Sequence, residues 1–183
     1  SYPAPTKSTA ETTKALQRFL GPGVNCRHIY TDNSKEFIAA TTEMGIDHDT
    51  STPRRSETNG KAENVVKRVK EGTSCALSQS GLVTAWWNVA MACYCFQRNV
   101  VDVLSDGKTA YERRFEKPFS GALIPFGAAI RYLPSYSKDK ARTHQLGEKT
   151  LDGIFMGYAQ NSGGGWNGDL LIVDAEELKE KNT

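Results

Sequence analysis

The sequence lacks a hydrophobic run long enough to cross a membrane, and it lacks a cysteine pattern typical of a metal site or a disulfide framework. No apolar stretch approaches about 18 residues, which argues against a transmembrane helix. The four cysteines include no Cys-x-x-Cys pair, so buried free thiols in a reducing compartment are the favoured interpretation. The three histidines, His28, His48 and His144, have no ligand spacing and are interpreted as structural.

The beginning of the chain lacks two further features. It has neither an initiator methionine nor the character of a signal peptide, which predicts a fragment of a protein that is not secreted. A strong excess of one charge is also missing, since the sequence has 23 lysines and arginines and 21 acidic residues. Global charge therefore does not require a nucleic-acid partner, and such a partner would need locally clustered cations. The 183 residues are enough for one domain with a small appendage.

The first 51 residues alternate between helical and strand patterns. A capping box at Ser8 predicts a helix that Gly21 and Pro22 end. Residues 24–31 then predict a strand ending at Asp32, residues 34–44 a short helix, and residues 46–51 a second strand. This order predicts an α/β layer with a largely parallel sheet.

Residues 52–72 predict a basic loop that leads into a helix capped by Asn59. Glu63 lies in the first turn, and Lys67 and Lys70 follow on the same helix face. Taken alone, this cluster also fits a solvated face with an ion pair four residues apart. A second face is apolar, because apolar residues recur on it at steps of three and four: Ala62, Val65, Val66, Val69, Ala76 and Leu77.

The rest of the chain divides near Lys117-Pro118. Residues 82–101 are apolar nearly all round, which predicts a buried helix with Trp86 and Trp87 as core anchors; residues 109–115 predict a short helix. Beyond 116, short apolar pieces at 124–126, 129–133, 153–158 and 170–173 predict a small β-rich module. The glycine-rich residues 162–168 predict a hairpin turn, and the charged residues 174–183 a frayed tail. The cations of this module fit either a basic face or a solvated loop: Lys138, Lys140, Arg142 and Lys149.

Several short motifs in one order resemble the integrases of copia-type retrotransposons, which are related to retroviral integrases. The motifs are Thr31-Asp32-Asn33, Glu36-Phe37, Thr52-Pro53, the run 58–64 (TNGKAEN), the Trp-Trp helix, the run 109–112 (TAYE), Pro125-Phe126-Gly127 and the run 153–158 (GIFMGY). The resemblance implies an α/β fold. Residues 1–116 would be a ribonuclease-H-like integrase catalytic core without its first strands, and residues 117–183 the small β-rich module.

The resemblance also implies a site. Asp32 and Glu63 match the second and third members of an acidic triad that holds two Mg²⁺ or Mn²⁺ ions, and the first Asp would precede this chain. The 30 residues between them are fewer than is usual in that family. The DNA-contacting residues implied are Lys67 and Lys70 on the helix, with Arg54, Arg55, Asn59 and Lys61 at and before its start.

The implied function is DNA integration. The parent protein would process 3′ ends of element DNA and join them to target DNA in a metal-dependent reaction, as a homo-oligomer and without a membrane. It would act in the nucleus or in a cytoplasmic integration particle. The fragment by itself is expected to be inactive, since two carboxylates hold a metal pair poorly. The alternative is a non-catalytic, domesticated or decayed remnant that binds nucleic acid or a protein partner.

Overall fold

The computed structural model describes residues 2–51, 60–144 and 146–181. Two compact units make up the chain. Unit 1 consists of Ser1–Glu71 with Gln160–Asn167, and unit 2 of Gly72–Ala159 with Gly168–Thr183. The division at 116/117 concerns sequence modules rather than compact units, and it stays a prediction.

Unit 1 alternates helices with two short strands. Its elements are α1 (Thr9–Leu20), β1 (His28–Thr31), α2 (Lys35–Glu43), β2 (Asp47–Thr50) and the first turns of α3 (Gly60–Ser80). The strands pair in parallel, with His28 opposite Asp47 and Thr31 opposite Thr50, so the predicted parallel arrangement is confirmed. β1 begins four residues later than predicted, because β2 offers partners only from Asp47 onward.

The helix boundaries of unit 1 follow local capping chemistry. The Ser8 hydroxyl accepts a hydrogen bond from the Glu11 N–H at 3.3 Å and begins α1. The Ser34 hydroxyl accepts one from the Phe37 N–H at 3.4 Å and begins α2. Gly21 ends α1 with a φ of 66°, a conformation that favours glycine. These boundaries agree with the sequence prediction.

The glycine-rich tip of a hairpin, residues 160–167, also belongs to unit 1 and contacts the end of α1. The Gly163 N–H donates to the Arg18 carbonyl oxygen at 2.8 Å. A Cβ atom on Gly21 would lie 2.8 Å from Gly163 Cα, so the two backbones approach as closely as glycine allows.

Unit 2 combines helices with an antiparallel sheet. After the end of α3, its elements are a 3₁₀ turn (Thr84–Trp86), α4 (Trp87–Val101), α5 (Ala110–Phe115), β3 (Ala129–Tyr132), α6 (Ser137–Lys140), β4 (Leu151–Gln160), β5 (Trp166–Asp174) and α7 (Ala175–Lys181). The strand order is β3-β4-β5, and β3 pairs antiparallel with β4, Ala129 opposite Ile154. The predicted mixed α/β class with a β-rich C-terminal module is confirmed.

An aromatic cluster forms the centre of unit 2. Phe96 of α4 stacks on Tyr158 of β4 with ring centroids 4.5 Å apart. Tyr111 and Phe119 contact Phe96 edge-on at 6.1 and 5.5 Å. The Tyr158 hydroxyl donates to the Ala122 carbonyl oxygen at 2.8 Å, which satisfies its buried polar end. Side chains from both sides of residue 117 therefore share one core.

The prediction that α4 is buried, with Trp86 and Trp87 as core anchors, was wrong. The buried residues of α4 are Ala90, Cys93 and Phe96, while Trp87 is 50% exposed. Residues three apart share a helix face, and Trp87 lies about 120° from the centre of that face at 100° per residue. Trp86 is half-buried in the 3₁₀ turn.

Two predictions for the C-terminal region were also wrong. Residues 124–126 form no strand: the Ile124 N–H donates to the Tyr158 hydroxyl at 3.1 Å, and the Pro125 carbonyl oxygen accepts from the Ala128 N–H in a turn. The tail is helical through Lys181, because the Asp174 carboxylate caps α7 and accepts from the Glu176 N–H at 2.9 Å. The hairpin predicted at residues 162–168 is confirmed, since it joins β4 to β5. Within the ranges that the structure describes, no helix is long and apolar enough to cross a membrane.

Candidate functional site

Asp32 lies directly after β1, where the strand gives way to the cap of α2. It is exposed. The hydroxyl of Thr31 donates to the Asp32 carbonyl oxygen at 2.7 Å, and the same hydroxyl lies 2.7 Å from His48 Nε2 of β2. The Ser51 N–H donates to the Thr31 carbonyl oxygen at 2.8 Å, which extends the pairing to the end of the strand. A carboxylate at this edge is open to a ligand.

Glu63 occupies the first turn of α3, as predicted, and is exposed. Lys67 and Lys70 lie on the same face one and two turns further along. A shallow cavity of about 410 Å³ follows this face and is lined by Ala62, Glu63, Val66, Lys67, Lys70 and Glu71. The structure thus brings one predicted carboxylate and two predicted cations to a single surface of unit 1.

This face carries an exposed ion pair four residues apart, as the solvated-face alternative expects, but the pair joins Lys67 to Glu71 rather than to Glu63. Lys67 Nζ lies 3.9 Å from Glu71 Oε1, and the two side chains are 73% and 63% exposed. Exposed pairs of this kind contribute only about 0–1 kcal/mol. Lys67 is therefore available to a stronger anionic partner.

Some of the predicted residues lie outside the part of the chain that the structure describes. They are Arg54, Arg55 and Asn59, together with the side chain of Lys61. Among the described residues, no three His, Cys, Asp or Glu side chains are grouped so that they could hold a metal ion. Asp32 and Glu63 as a metal site therefore stay a prediction.

The predicted apolar face of α3 is buried only in the second half of the helix. Leu77 is 8% exposed, whereas Val65 and Val66 are 55% and 52% exposed. Ala62, in the first turn of the same face, is exposed as well. Periodicity identified which residues share the face but not what covers each end of it.

His48 is the residue at this site that sequence reasoning missed. No motif singled it out, because the signal is positional: in parallel pairing Ile29 lies opposite His48, which puts Thr31 and His48 on one face of the ladder. The other face carries a similar diagonal contact, between His28 Nε2 and Asp49 Oδ2 at 3.0 Å.

Lys138 and Arg142 of the β-rich module form ion pairs with carboxylates. Lys138 Nζ lies 3.0 Å from Glu177, and Arg142 lies 2.9 Å from Asp174 and 2.6 Å from Glu176. Two of the four cations that suggested a basic face therefore already have anionic partners. This pairing favours the solvated-loop alternative for that segment.

The known proteins that are similar in sequence to this chain come from retrotransposons, as the motifs predict. No family model matches the chain. It is 28% identical over 139 residues to the Retrovirus-related Pol polyprotein from transposon RE1 of Arabidopsis thaliana, covering 71% of this chain and 9% of that protein. It is 28% identical over 138 residues to the corresponding polyprotein from transposon RE2 of the same plant, covering 72% of this chain and 9% of that protein. The chain thus spans about a tenth of the length of these relatives.

Two solved structures also resemble the chain. One is the catalytic core domain of BIV integrase, at 20% identity and a TM-score of 0.44, covering 62% of this chain and 74% of that one. The other is the simian T-cell lymphotropic virus intasome in complex with PP2A regulatory subunit B56 gamma, at 18% identity and a TM-score of 0.49. It covers 93% of this chain and 63% of that one.

The class that emerges is an α/β domain similar in sequence to part of two retrotransposon Pol polyproteins. The similarity to retrotransposon proteins that the sequence motifs predicted is confirmed.

Proposed function

We propose that this chain is part of a retrotransposon integrase whose parent protein joins element DNA to target DNA. The observation that carries the proposal is the similarity to two retrotransposon Pol polyproteins over about seven tenths of the chain. The positions of the two acidic residues support it, since Asp32 follows a strand and Glu63 opens a helix, as the motifs require. The ribonuclease-H-like form of the core is part of the same proposal.

Asp32 and Glu63 would hold divalent ions. Both are exposed carboxylates on different elements of unit 1, and hard cations such as Mg²⁺ and Mn²⁺ take oxygen ligands. Mg²⁺ is commonly bound through only one or two carboxylates, with waters and substrate phosphates completing its shell, so this donor set fits the ion. When bound, a metal pair supplies activation of a water or a 3′-hydroxyl and stabilisation of the leaving oxygen.

Lys67 and Lys70 would bind DNA phosphates beside this site. Ammonium groups act as point charges toward phosphate, and each contact adds to the salt dependence of binding. The two lysines share the exposed face of α3 with Glu63, which would keep the bound backbone close to the carboxylate. Lys61, Arg54, Arg55 and Asn59 would extend this contact on the N-terminal side.

The parent protein would bind element ends and target DNA as a homo-oligomer, in the nucleus or in a cytoplasmic integration particle. These assignments follow from the proposed activity. A localisation experiment with the complete parent protein tests whether it is found in the nucleus or in a cytoplasmic particle.

Mn²⁺ titration by calorimetry tests the metal site directly. We expect binding to the wild-type chain that Asp32→Asn and Glu63→Gln each abolish. Glu71→Gln is the matched control, because Glu71 is an exposed carboxylate on the same helix face and should be dispensable. Equal binding by all four proteins would contradict the site, as would its absence from the wild type.

DNA binding at several salt concentrations tests the lysines. We expect Lys67→Ala and Lys70→Ala each to weaken binding and to lower the salt slope by about 1. Lys149→Ala, an exposed cation of the β-rich module, is the control and should change little. DNA binding without any Mn²⁺ binding would instead support the non-catalytic remnant.

A further inference from the structure

The Thr31 hydroxyl lies between two partners that determine the direction of its hydrogen bonds. It is 2.7 Å from the Asp32 carbonyl oxygen and 2.7 Å from His48 Nε2. A carbonyl oxygen only accepts, so the single hydroxyl proton goes to Asp32. The hydroxyl oxygen must then accept from His48, which requires a proton on Nε2. The result is a directed chain from the His48 ring through Thr31 to the backbone of Asp32.

These hydrogen bonds form where the backbone leaves the parallel ladder. β1 ends at Thr31, and among the residues that the structure describes no ladder hydrogen bond orients the Asp32 carbonyl. Thr31 and His48 are both half-buried, which shields their hydrogen bond from competing water. The orientation of the Asp32 peptide sets the direction in which its carboxylate leaves the backbone.

We propose that His48 is a positioning residue for Asp32, acting through the Thr31 hydroxyl. The proposal rests on the proposed role of Asp32 as a metal ligand, and it gives a function to a histidine that has no ligand spacing in sequence. Groups that orient a metal ligand by hydrogen bonding typically change metal affinity about 10- to 100-fold when they are removed.

The first experiment measures Mn²⁺ affinity in two pairs of variants of the 183-residue chain. Thr31→Val keeps the branched shape but removes the hydroxyl, whereas Thr31→Ser keeps the hydroxyl. His48→Leu removes the donor, whereas His48→Gln retains an N–H at similar reach. We expect the first member of each pair to lose about 10-fold in affinity or more and the second to recover most of it.

A matched control separates positioning from general effects on the sheet. His28 lies on the same ladder and makes the same kind of diagonal contact, to Asp49, on the opposite face. His28→Leu should leave Mn²⁺ affinity unchanged. An equal loss in His28→Leu and His48→Leu would overturn the proposal, since it would show a structural role common to both histidines.

A metal-free measurement keeps the two proposals distinguishable. The carbonyl ¹³C resonance of Asp32 reports whether its oxygen accepts a hydrogen bond, and the ¹⁵N shifts of the His48 ring report which nitrogen carries the proton. We expect the Asp32 carbonyl resonance to move upfield in Thr31→Val and His48→Leu, and a protonated Nε2 in the wild type. Unchanged Asp32 resonances would overturn the positioning role even if Mn²⁺ binds. Shifted resonances without Mn²⁺ binding would confirm the chain of hydrogen bonds but remove the proposed metal site on which its positioning role rests.

Discussion

The carboxylate of Asp174 joins three elements of unit 2, and its removal should be costly. Asp174 is 8% exposed. It accepts hydrogen bonds from the Tyr132 hydroxyl at 2.7 Å, from the Arg142 guanidinium at 2.9 Å and from the backbone N–H groups of Glu176 and Glu177 at 2.9 and 3.4 Å. It therefore links β3 and the residues just after α6 to the end of β5 and the start of α7.

These contacts lower the pKa of the carboxyl. Burial by itself raises the pKa of Asp174, but the hydrogen bonds from Arg142 and Tyr132 and from the backbone outweigh it and hold the pKa at about 2, against an ordinary 3.8. A difference of this size corresponds to about 2 kcal/mol of unfolding free energy at neutral pH. Because the folded pKa is the lower one, this stabilisation is complete above about pH 5 and is lost as the pH falls through about 2.

Asp174→Asn removes the charge with little change in volume and directs an amide N–H₂ toward donors. We expect it to lower the free energy of unfolding by about 3 kcal/mol at pH 7, since a buried charged acceptor of several hydrogen bonds is replaced by an amide whose N–H₂ faces the same donors. At pH 3 the difference in unfolding free energy between the wild type and Asp174→Asn should be about 1 kcal/mol smaller, because the wild type has lost part of the same stabilisation. Urea unfolding followed by circular dichroism at both pH values measures the two differences.

The control is Glu176→Gln, which removes a different partner of Arg142. Glu176 lies 2.6 Å from the same guanidinium but is 73% exposed, so its loss should cost less than about 1 kcal/mol. Hydrogen exchange should show the Asp174→Asn effect at the start of α7. The reasoning would be refuted if Asp174→Asn lost the same unfolding free energy at pH 7 and at pH 3, or if it lost no more than Glu176→Gln.

Three further outcomes follow from close packing and burial. Gly72→Ala should lower the free energy of unfolding by about 2 kcal/mol, because a Cβ there would lie 2.0 Å from the Tyr94 ring. Gly21→Ala should cost at least as much, since its φ of 66° is unfavourable for alanine and its Cβ would lie 2.8 Å from Gly163; urea unfolding measures both. Burial raises the pKa of the Cys93 thiol to about 12, so it should react with an aromatic disulfide reagent only once the protein unfolds.

Each of these outcomes has a control within the chain. Gly60→Ala, on the same helix as Gly72 and with no described atom within 4 Å, should be neutral. Gly45→Ala has a φ of 64° but open space, so it isolates the backbone cost of about 1 kcal/mol. Cys75 is exposed and should react in the folded protein. An equal loss of unfolding free energy in Gly72→Ala and Gly60→Ala, or in Gly21→Ala and Gly45→Ala, would contradict the corresponding prediction. Equal reactivity of the Cys93 and Cys75 thiols would contradict the third.

Much of the fold could be predicted because its signals are local. The capping box at Ser8 and the break at Gly21 act within three or four residues, so the bounds of α1 were readable in advance. The helix that carries Glu63 and Lys67 on one face follows from its periodicity alone. The order of short motifs likewise indicated the relationship to retrotransposon Pol polyproteins.

What covers each element was decided by the tertiary structure. Val66 and Leu77 belong to one apolar face of α3, yet only Leu77 is buried. Trp87 is as apolar as its neighbours but lies away from the core that Phe96 forms with Tyr158. Burial depends on partners distant in sequence, which periodicity does not identify.

The polar contacts show the same division between local and distant information. The sequence by itself determined the positions of Asp32 and Glu63 on their elements, because a strand end and a first helical turn are local features. Only the parallel register brought His48 to the Thr31 hydroxyl. The physical reason is that hydrogen bonds require heavy-atom distances near 3 Å, which pairing between distant segments sets and local propensity does not.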